Sequence, residues 1–252
     1  MLLNAIRIGF CLFIFMGVQA CMPMKKAQSP IKWKLYHTAQ TKSENLLILL
    51  PGIRNDLLRF EQEGFFTDIQ QYAPNFDVIT VDAHMGYYAQ KQLITELHET
   101  VVLPAKASGY RNIILGGISL GGYGSLWYNH QHANEIKGLL LIAPYLGDDD
   151  VISSIESSPS VAVWREQNPL DVGEFEELVW HWIDEDMVFK QNRTLLAVGK
   201  KDKYYDAANI LARYLPKAQY VIGKGKHNWR DWRVLWLSLL KDKKINALFN
   251  EQ

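Results

Sequence analysis

The stretch Gly116-Gly117-Ile118-Ser119-Leu120-Gly121-Gly122, entered from the apolar run Ile113-Ile114-Leu115, decides the fold. A short unbroken apolar run reads as a strand covered on both faces. In Gly117-Ile118-Ser119-Leu120-Gly121 a serine then sits between glycines two positions to either side. That spacing suits a strained strand-to-helix turn with the serine at its apex, because side chains at the glycine positions would strike the neighbouring strand and helix. Such a turn lifts the Ser119 oxygen above the sheet. It also aims the backbone N–H groups of the next helix at the place where negative charge would develop. Gly122, Gly124 and Ser125 let that helix lie close to the sheet. The competing reading is a phosphate-cradling turn. It lacks its companions, since no G-x-G-x-x-G follows the first strand and no Walker lysine occurs. Ser119 is therefore read as a nucleophile.

Working outward, the chain alternates strand-like and helix-like segments. Ile31 to Tyr36 alternates apolar and polar residues, as a half-exposed strand does. Leu46–Leu50, Asp77–Val81, Asn112–Gly116, Gly138–Ile142, Thr194–Val198 and Gln219–Ile222 read as further strands. Tyr88 to Ser108 has helical period, with a kink or break expected at Pro104. Arg230 to Lys241 carries Trp232, Leu235, Trp236, Leu239 and Leu240 on one helical face. This rhythm predicts an α/β fold, a mostly parallel sheet flanked by helices. One segment interrupts it. Residues 145–192, rich in acids and tryptophans, are too long for a plain connection and read as an inserted helical cap over the sheet edge.

A serine hydroxyl is a weak nucleophile without a base. Of seven histidines, His227 lies downstream in a loop between the last strand and the last helix, flanked by Gly223 and Gly225. It is the candidate base. The acid is expected between serine and histidine in sequence, at the end of a strand. Asp202, in Val198-Gly199-Lys200-Lys201-Asp202, fits. From there it would hold the imidazole tautomer and stabilise imidazolium. Asp148, after the preceding strand, is the alternative acid. Asp206 suits the first turn of a helix. The two oxyanion donors are expected to be the backbone N–H of Leu120 and, in the loop Pro51-Gly52-Ile53-Arg54, that of Ile53. His130 and His132, two apart on a helix, point to different sides. No HExxH motif or cysteine cluster exists, so neither a metal nor another cofactor is expected.

Composition fits one large domain. The chain has 252 residues and 48% apolar side chains, enough for a sizeable core. Its 27 basic and 27 acidic residues cancel, which speaks against a nucleic-acid partner. The N-terminus differs in kind. Arg7 precedes an apolar segment, Ile8 to Val18, shorter than the roughly 20 residues that span a bilayer. It reads as a secretory signal of residues 1–20. Val18-Gln19-Ala20-Cys21 resembles a bacterial lipobox, which makes Cys21 the lipidated residue and 21–30 a tether. The only other cysteine, Cys11, would leave with the signal. Each buried CH₂ of a lipid chain contributes about 0.8 kcal/mol, so two or three chains would hold the domain at a membrane. Met22 stands where the resemblance would put an aspartate for inner-membrane retention, so the expected location is the outer membrane, facing the periplasm.

Taken together, Leu50-Pro51-Gly52, Val81-Asp82-Ala83-His84, Gly117-Ile118-Ser119-Leu120-Gly121-Gly122, Ala143-Pro144-Tyr145-Leu146-Gly147, Gly199-Lys200-Lys201-Asp202 and His227-Asn228-Trp229 with Trp232 resemble the α/β-hydrolase superfamily. Within it, the chain is similar to bacterial esterase-like hydrolases that often carry lipoprotein signals. The resemblance implies one α/β-hydrolase domain over 31–252 and a Ser119-Asp202-His227 triad. The implied reaction is cleavage of a small-molecule or lipid-like carboxylic ester through an acyl-enzyme. One departure is that Leu50-Pro51-Gly52 stands where many members have His-Gly. His84, at a strand end, is a candidate cleft or structural residue. Thioester or peptide hydrolysis would use the same residues. The rival expectation is a non-catalytic envelope binding lipoprotein that kept the fold; a membrane-anchored metal hydrolase is a third.

Overall fold

The computed structural model describes residues 25–37, 43–170, 175–190, 193–241 and 244–248. The signal segment, the lipobox and Cys21 lie outside the described residues. The seven strands expected from the sequence form one sheet, ordered β1-β3-β2-β4-β5-β6-β7. They are β1 (Trp33–Tyr36), β2 (Asn45–Leu50), β3 (Phe76–Val81), β4 (Asn112–Ile118), β5 (Gly138–Ile142), β6 (Thr194–Gly199) and β7 (Tyr220–Gly223). Every neighbouring pair is parallel except β1 against β3. The continuous apolar runs explain the arrangement. Leu46 to Leu50, Phe76 to Val81 and Leu139 to Ile142 are buried throughout, and a parallel sheet covered on both faces needs such strands. Strand β1, with Trp33 exposed, forms the half-covered antiparallel edge.

The helices are α1 (Arg59–Gln62), α2 (Phe65–Tyr72), α3 (Met85–Ala89), α4 (Leu93–Leu97), α5 (Leu103–Ala107), α6 (Leu120–His132), α7 (Asp149–Glu156), α8 (Val161–Gln167), α9 (Phe175–Lys190), α10 (Tyr205–Ala212), α11 (Trp229–Lys241) and α12 (Lys244–Ala247). The central helix α6 packs on β2, β4 and β5, and also on α4 and α9. Helix α11 packs on β5, β6, β7 and α2, burying Trp232, Leu235, Trp236 and Leu239 as its periodicity predicts.

The region of helical period from Tyr88 to Ser108, where the sequence predicts a kink or break at Pro104, is interrupted twice. Helix α3 stops at Ala89, and Lys91 takes a left-handed φ of 54° before α4 begins. A π-helical turn, His98–Val102, then joins α4 to α5. Pro104 falls in the first turn of α5. Proline has no N–H to give and its ring crowds the carbonyl four residues back, so a widened turn ahead of it relieves both problems.

Topology decides where chemistry can sit. The chain goes from β2 to β3 on one side, then crosses to β4 on the other. The carboxyl ends of β2 and β4 thus flank a switch point, where loops diverge and leave a crevice.

Candidate active site

Strand β4 delivers Ser119 to that crevice. Ser119 has φ 55° and ψ −118°, outside the ordinary regions for a residue with a side chain. Such strain costs about 1–3 kcal/mol and persists only where the surroundings enforce it. The enforcement is visible. The Ser119 N–H donates to the Ile142 carbonyl at 3.1 Å, and its carbonyl accepts from Gly122 and Tyr145 at 2.9 Å each. A Cβ at Gly117 would lie 2.0 Å from the Gly121 oxygen, and one at Gly121 2.1 Å from the Leu50 oxygen. Only glycine permits that closeness of strand, turn and helix.

The structure brings the three side chains singled out from the sequence into one chain of contacts. Ser119 Oγ is 3.0 Å from His227 Nε2, and His227 Nδ1 is 2.7 Å from Asp202 Oδ1. With a proton on Nδ1 facing the carboxylate, Nε2 turns a lone pair toward the serine hydroxyl. The Asp202 carboxylate is fully buried, and two further donors satisfy it. The Tyr204 N–H reaches Oδ1 at 3.0 Å and the Trp232 indole N–H reaches Oδ2 at 3.4 Å. The imidazole stands edge-on to Tyr204 and Trp232, with ring centroids 4.7 and 4.6 Å away. These rings fix its plane.

The loop carrying His227 is tied down independently. The N–H groups of Lys200 and Lys201 donate to the Gly223 and Gly225 carbonyls, knitting the Asp202 turn to the histidine loop. Asn228 and Asp231 then cap α11 reciprocally: the Asp231 N–H donates to Asn228 Oδ1 at 3.1 Å. Asp231 also accepts from the Lys226 N–H and the Asn228 amide, and these bonds hold its carboxyl below the usual range.

The oxyanion candidates occupy suitable backbone. Leu120 is the first residue of α6, whose N–H has no acceptor within the helix by construction. The loop after β2 touches Ser119: a Cβ on Gly52 would sit 3.4 Å from Ser119 Cβ. Ile53 follows, its side chain half exposed. Asn55, which the sequence reading passed over, braces this loop. It donates to the Ile53 carbonyl at 3.1 Å and accepts from the Trp229 indole at 3.1 Å. The signal was an Asx residue two positions past the turn, but its partner lies 174 residues away.

The remaining candidates sit elsewhere. Asp148 accepts from the Tyr145 hydroxyl at 2.8 Å and begins α7; it does not meet His227. Asp206 lies in the first turn of α10, as expected. His84 caps α3, its Nδ1 accepting from the Gly86 N–H at 3.2 Å. His130 contacts Asp186 while His132 stacks on His98, so the pair diverges. Among the described residues no group of three or more His, Cys, Asp or Glu side chains could hold a metal ion.

Beside the site lies a cavity of about 670 Å³. Tyr88, Tyr123, Trp127, Phe175, Leu178 and Trp182 form most of its apolar wall. Tyr123 is four residues after Ser119, and the Tyr88 hydroxyl donates to the Leu120 carbonyl at 3.2 Å. The wall therefore abuts the first turn of α6.

Residues 66–236 match the model of the uncharacterised protein family UPF0227. The chain belongs to that family. The matched span includes Ser119, Asp202 and His227 and leaves out the loop bearing Ile53. No curated protein matches this UPF0227 chain significantly. Solved structures do. Est1E from Butyrivibrio proteoclasticus has a TM-score of 0.62 at 15% identity, covering 90% of this chain and 99% of that one. LAE6, an alpha/beta hydrolase enzyme from the metagenome of Lake Arreo, has a TM-score of 0.59 at 14% identity, covering 89% and 78%. FphF, a fluorophosphonate-binding serine hydrolase of Staphylococcus aureus, has a TM-score of 0.54 at 16% identity, covering 88% and 100%. At these identities the likeness establishes the shared fold, which is the α/β-hydrolase fold.

Proposed function

We propose that the chain is a serine hydrolase that cleaves carboxylic esters through an acyl-enzyme, with Ser119 as nucleophile, His227 as base and Asp202 as acid. The observation that carries this is the contact series Ser119 Oγ, His227 Nε2, His227 Nδ1, Asp202 Oδ1, at 3.0 and 2.7 Å. In the first half-reaction Ser119 Oγ attacks the ester carbonyl carbon while its proton passes to His227 Nε2. Asp202 stabilises the imidazolium from the far side. The N–H groups of Leu120 and Ile53 receive the developing oxyanion, and losing one such donor costs about 2.7–4 kcal/mol of transition-state stabilisation. The carbon–oxygen bond then breaks, and the imidazolium proton leaves with the alcohol. In the second half-reaction water attacks the acyl-enzyme, His227 takes its proton, and the carboxylic acid departs as Ser119 is restored.

What favours an ester is that the similar structures include a ferulic acid esterase and Est1E with ferulic acid bound. We further propose that segment 145–192 acts as the cap of the acyl site. Residues 1–20 serve as a signal, and lipid on Cys21 holds the domain in the bacterial envelope, at the outer membrane. A fluorophosphonate probe tests the reaction. It should label the wild type and not Ser119→Ala, and p-nitrophenyl acetate should be turned over by the wild type alone. A wild type that neither takes the label nor turns over the ester would leave a non-catalytic binding lipoprotein as the reading.

A further inference from the structure

Helix α3 is five residues long and has two occupied faces. Met85, Tyr88 and Ala89, at i, i+3 and i+4, share one face, and all three line the 670 Å³ cavity. The intervening residues hold the N-terminal tether. The Tyr87 hydroxyl donates to the Gln28 carbonyl at 2.7 Å and accepts from the Gln28 N–H at 3.3 Å. Gly86 lies so close to the tether that a Cβ there would fall 1.9 Å from the Lys25 oxygen. Lys25 Nζ pairs with Asp82 at 2.6 Å, the Ile31 N–H donates to Glu96 at 2.9 Å, and Ile31 is buried. The tether is therefore seated on the body from Lys25 onward.

Distances make this matter. Lys25 is four residues after Cys21, a reach of at most about 14 Å even fully extended. A helix is roughly 10–12 Å across, so seat and cavity wall are separated by little more than α3 itself. A domain of this size has a radius of gyration of roughly 17 Å. A lipid on Cys21 would thus hold the α3 side of the molecule at the bilayer, and the domain could not turn that side away without leaving its seat. Met85 and Leu170 line the cavity and are 37% and 43% exposed, an apolar edge that suits contact with acyl chains, while Lys91 and Gln131 are its exposed polar lining residues.

We propose that the substrate is an acyl ester resident in the same bilayer that anchors the chain, and that the cavity between α3, α6 and α9 takes its acyl chain. This rests on the hydrolase and lipid-anchor readings above. The ester leaves the membrane acyl end first past Met85 and Leu170, its acyl chain enters the cavity, and its carbonyl lies toward Ser119, past Tyr88 and Tyr123 at the first turn of α6.

The test uses the full-length lipidated protein reconstituted in vesicles of phosphatidylethanolamine and phosphatidylglycerol. p-Nitrophenyl palmitate is placed in the same vesicles or in separate ones, and soluble p-nitrophenyl acetate monitors the triad throughout. Palmitate turnover should be at least tenfold faster in shared than in separate vesicles. Lys25→Glu, which sets a like charge against Asp82, should lower shared-vesicle palmitate turnover several-fold and leave acetate turnover unchanged. Ala89→Trp, which fills the cavity, should shift the palmitate-to-acetate ratio at least tenfold toward acetate. Equal palmitate rates in the two vesicle arrangements, with acetate turnover intact, overturn the proposal. So does an unchanged ratio in a folded Ala89→Trp protein. Loss of acetate turnover in the wild type overturns the hydrolase reading and the proposal with it. Recovery of the protein away from the vesicles does the same for the lipid anchor.

Discussion

On the proposed mechanism Ser119 works only if His227 holds its free lone pair toward the hydroxyl, and Asp202, bonded to the other ring nitrogen, decides that. Asp202→Asn keeps the shape but would put an amide N–H either at Oδ1, where His227 and the Tyr204 N–H donate, or at Oδ2, where the Trp232 indole donates. It should lower kcat by about 10⁴-fold, as tautomer loss does in a serine protease. Asp148→Asn should change it less than threefold in the same p-nitrophenyl acetate assay, since Asp148 bonds Tyr145 instead. A severe Asp148→Asn beside a mild Asp202→Asn would reverse the assignment of the acid. Ser119→Ala and His227→Ala should abolish turnover with little change in Tm. Asn55→Ala removes the brace between the Ile53 loop and Trp229. It should reduce kcat about tenfold with KM nearly constant, because the loss falls on transition-state stabilisation. Asp202 and His227 were legible because each ends a strand or opens a loop in the order the elbow demands. Asn55 was not, because an indole from the far end of the chain gives it its role.

At the scale of elements, closeness of β2, β4 and α6 is what keeps Ser119 in its unusual backbone. Gly121→Ala would drive a Cβ to 2.1 Å from the Leu50 oxygen, a backbone atom that cannot swing aside. The expected result is a Tm lowered by many degrees or no soluble protein, measured by thermal melting, alongside lost labelling of Ser119. An unaltered Tm would mean that strand and helix have room to part. The covered strands could be read from sequence because doubly covered strands are largely apolar, and the edge strand β1 because its residues alternate apolar and polar. The break expected at Pro104 is present as the π-helical turn just ahead of it, but the earlier break near Lys91 was not legible. Gln90-Lys91-Gln92 are ordinary helix formers, so nothing in their propensity marks the left-handed turn at Lys91.

For the molecule as a whole, His84, His132 and His181 are held below the usual histidine range, in each case chiefly by burial. The stacked His98 ring adds to the effect at His132, and the Arg165 charge adds to it at His181. The unfolded chain then binds more protons than the folded one in mildly acid solution. The stability these neutral rings contribute is complete above about pH 6.5 and is lost as pH falls toward their folded values. Tm should therefore drop between pH 7.5 and 5.5, and His132→Gln should make that drop shallower. Parallel curves for the two proteins would contradict this. Composition and strand order made the single α/β core legible; how the tether seats on α3 was not, since nothing in Lys25 to Gln28 announces Gly86 and Tyr87 as its partners.

The Ser119 hydroxyl and the His227 imidazole are 108 residues apart, and the imidazole rides on the loop leading into α11. Synthesis proceeds from the other end, and domains take shape as units. On the proposed mechanism, a polypeptide that has emerged only as far as α10 holds Ser119 and Asp202 but not His227, and so has no base for the hydroxyl.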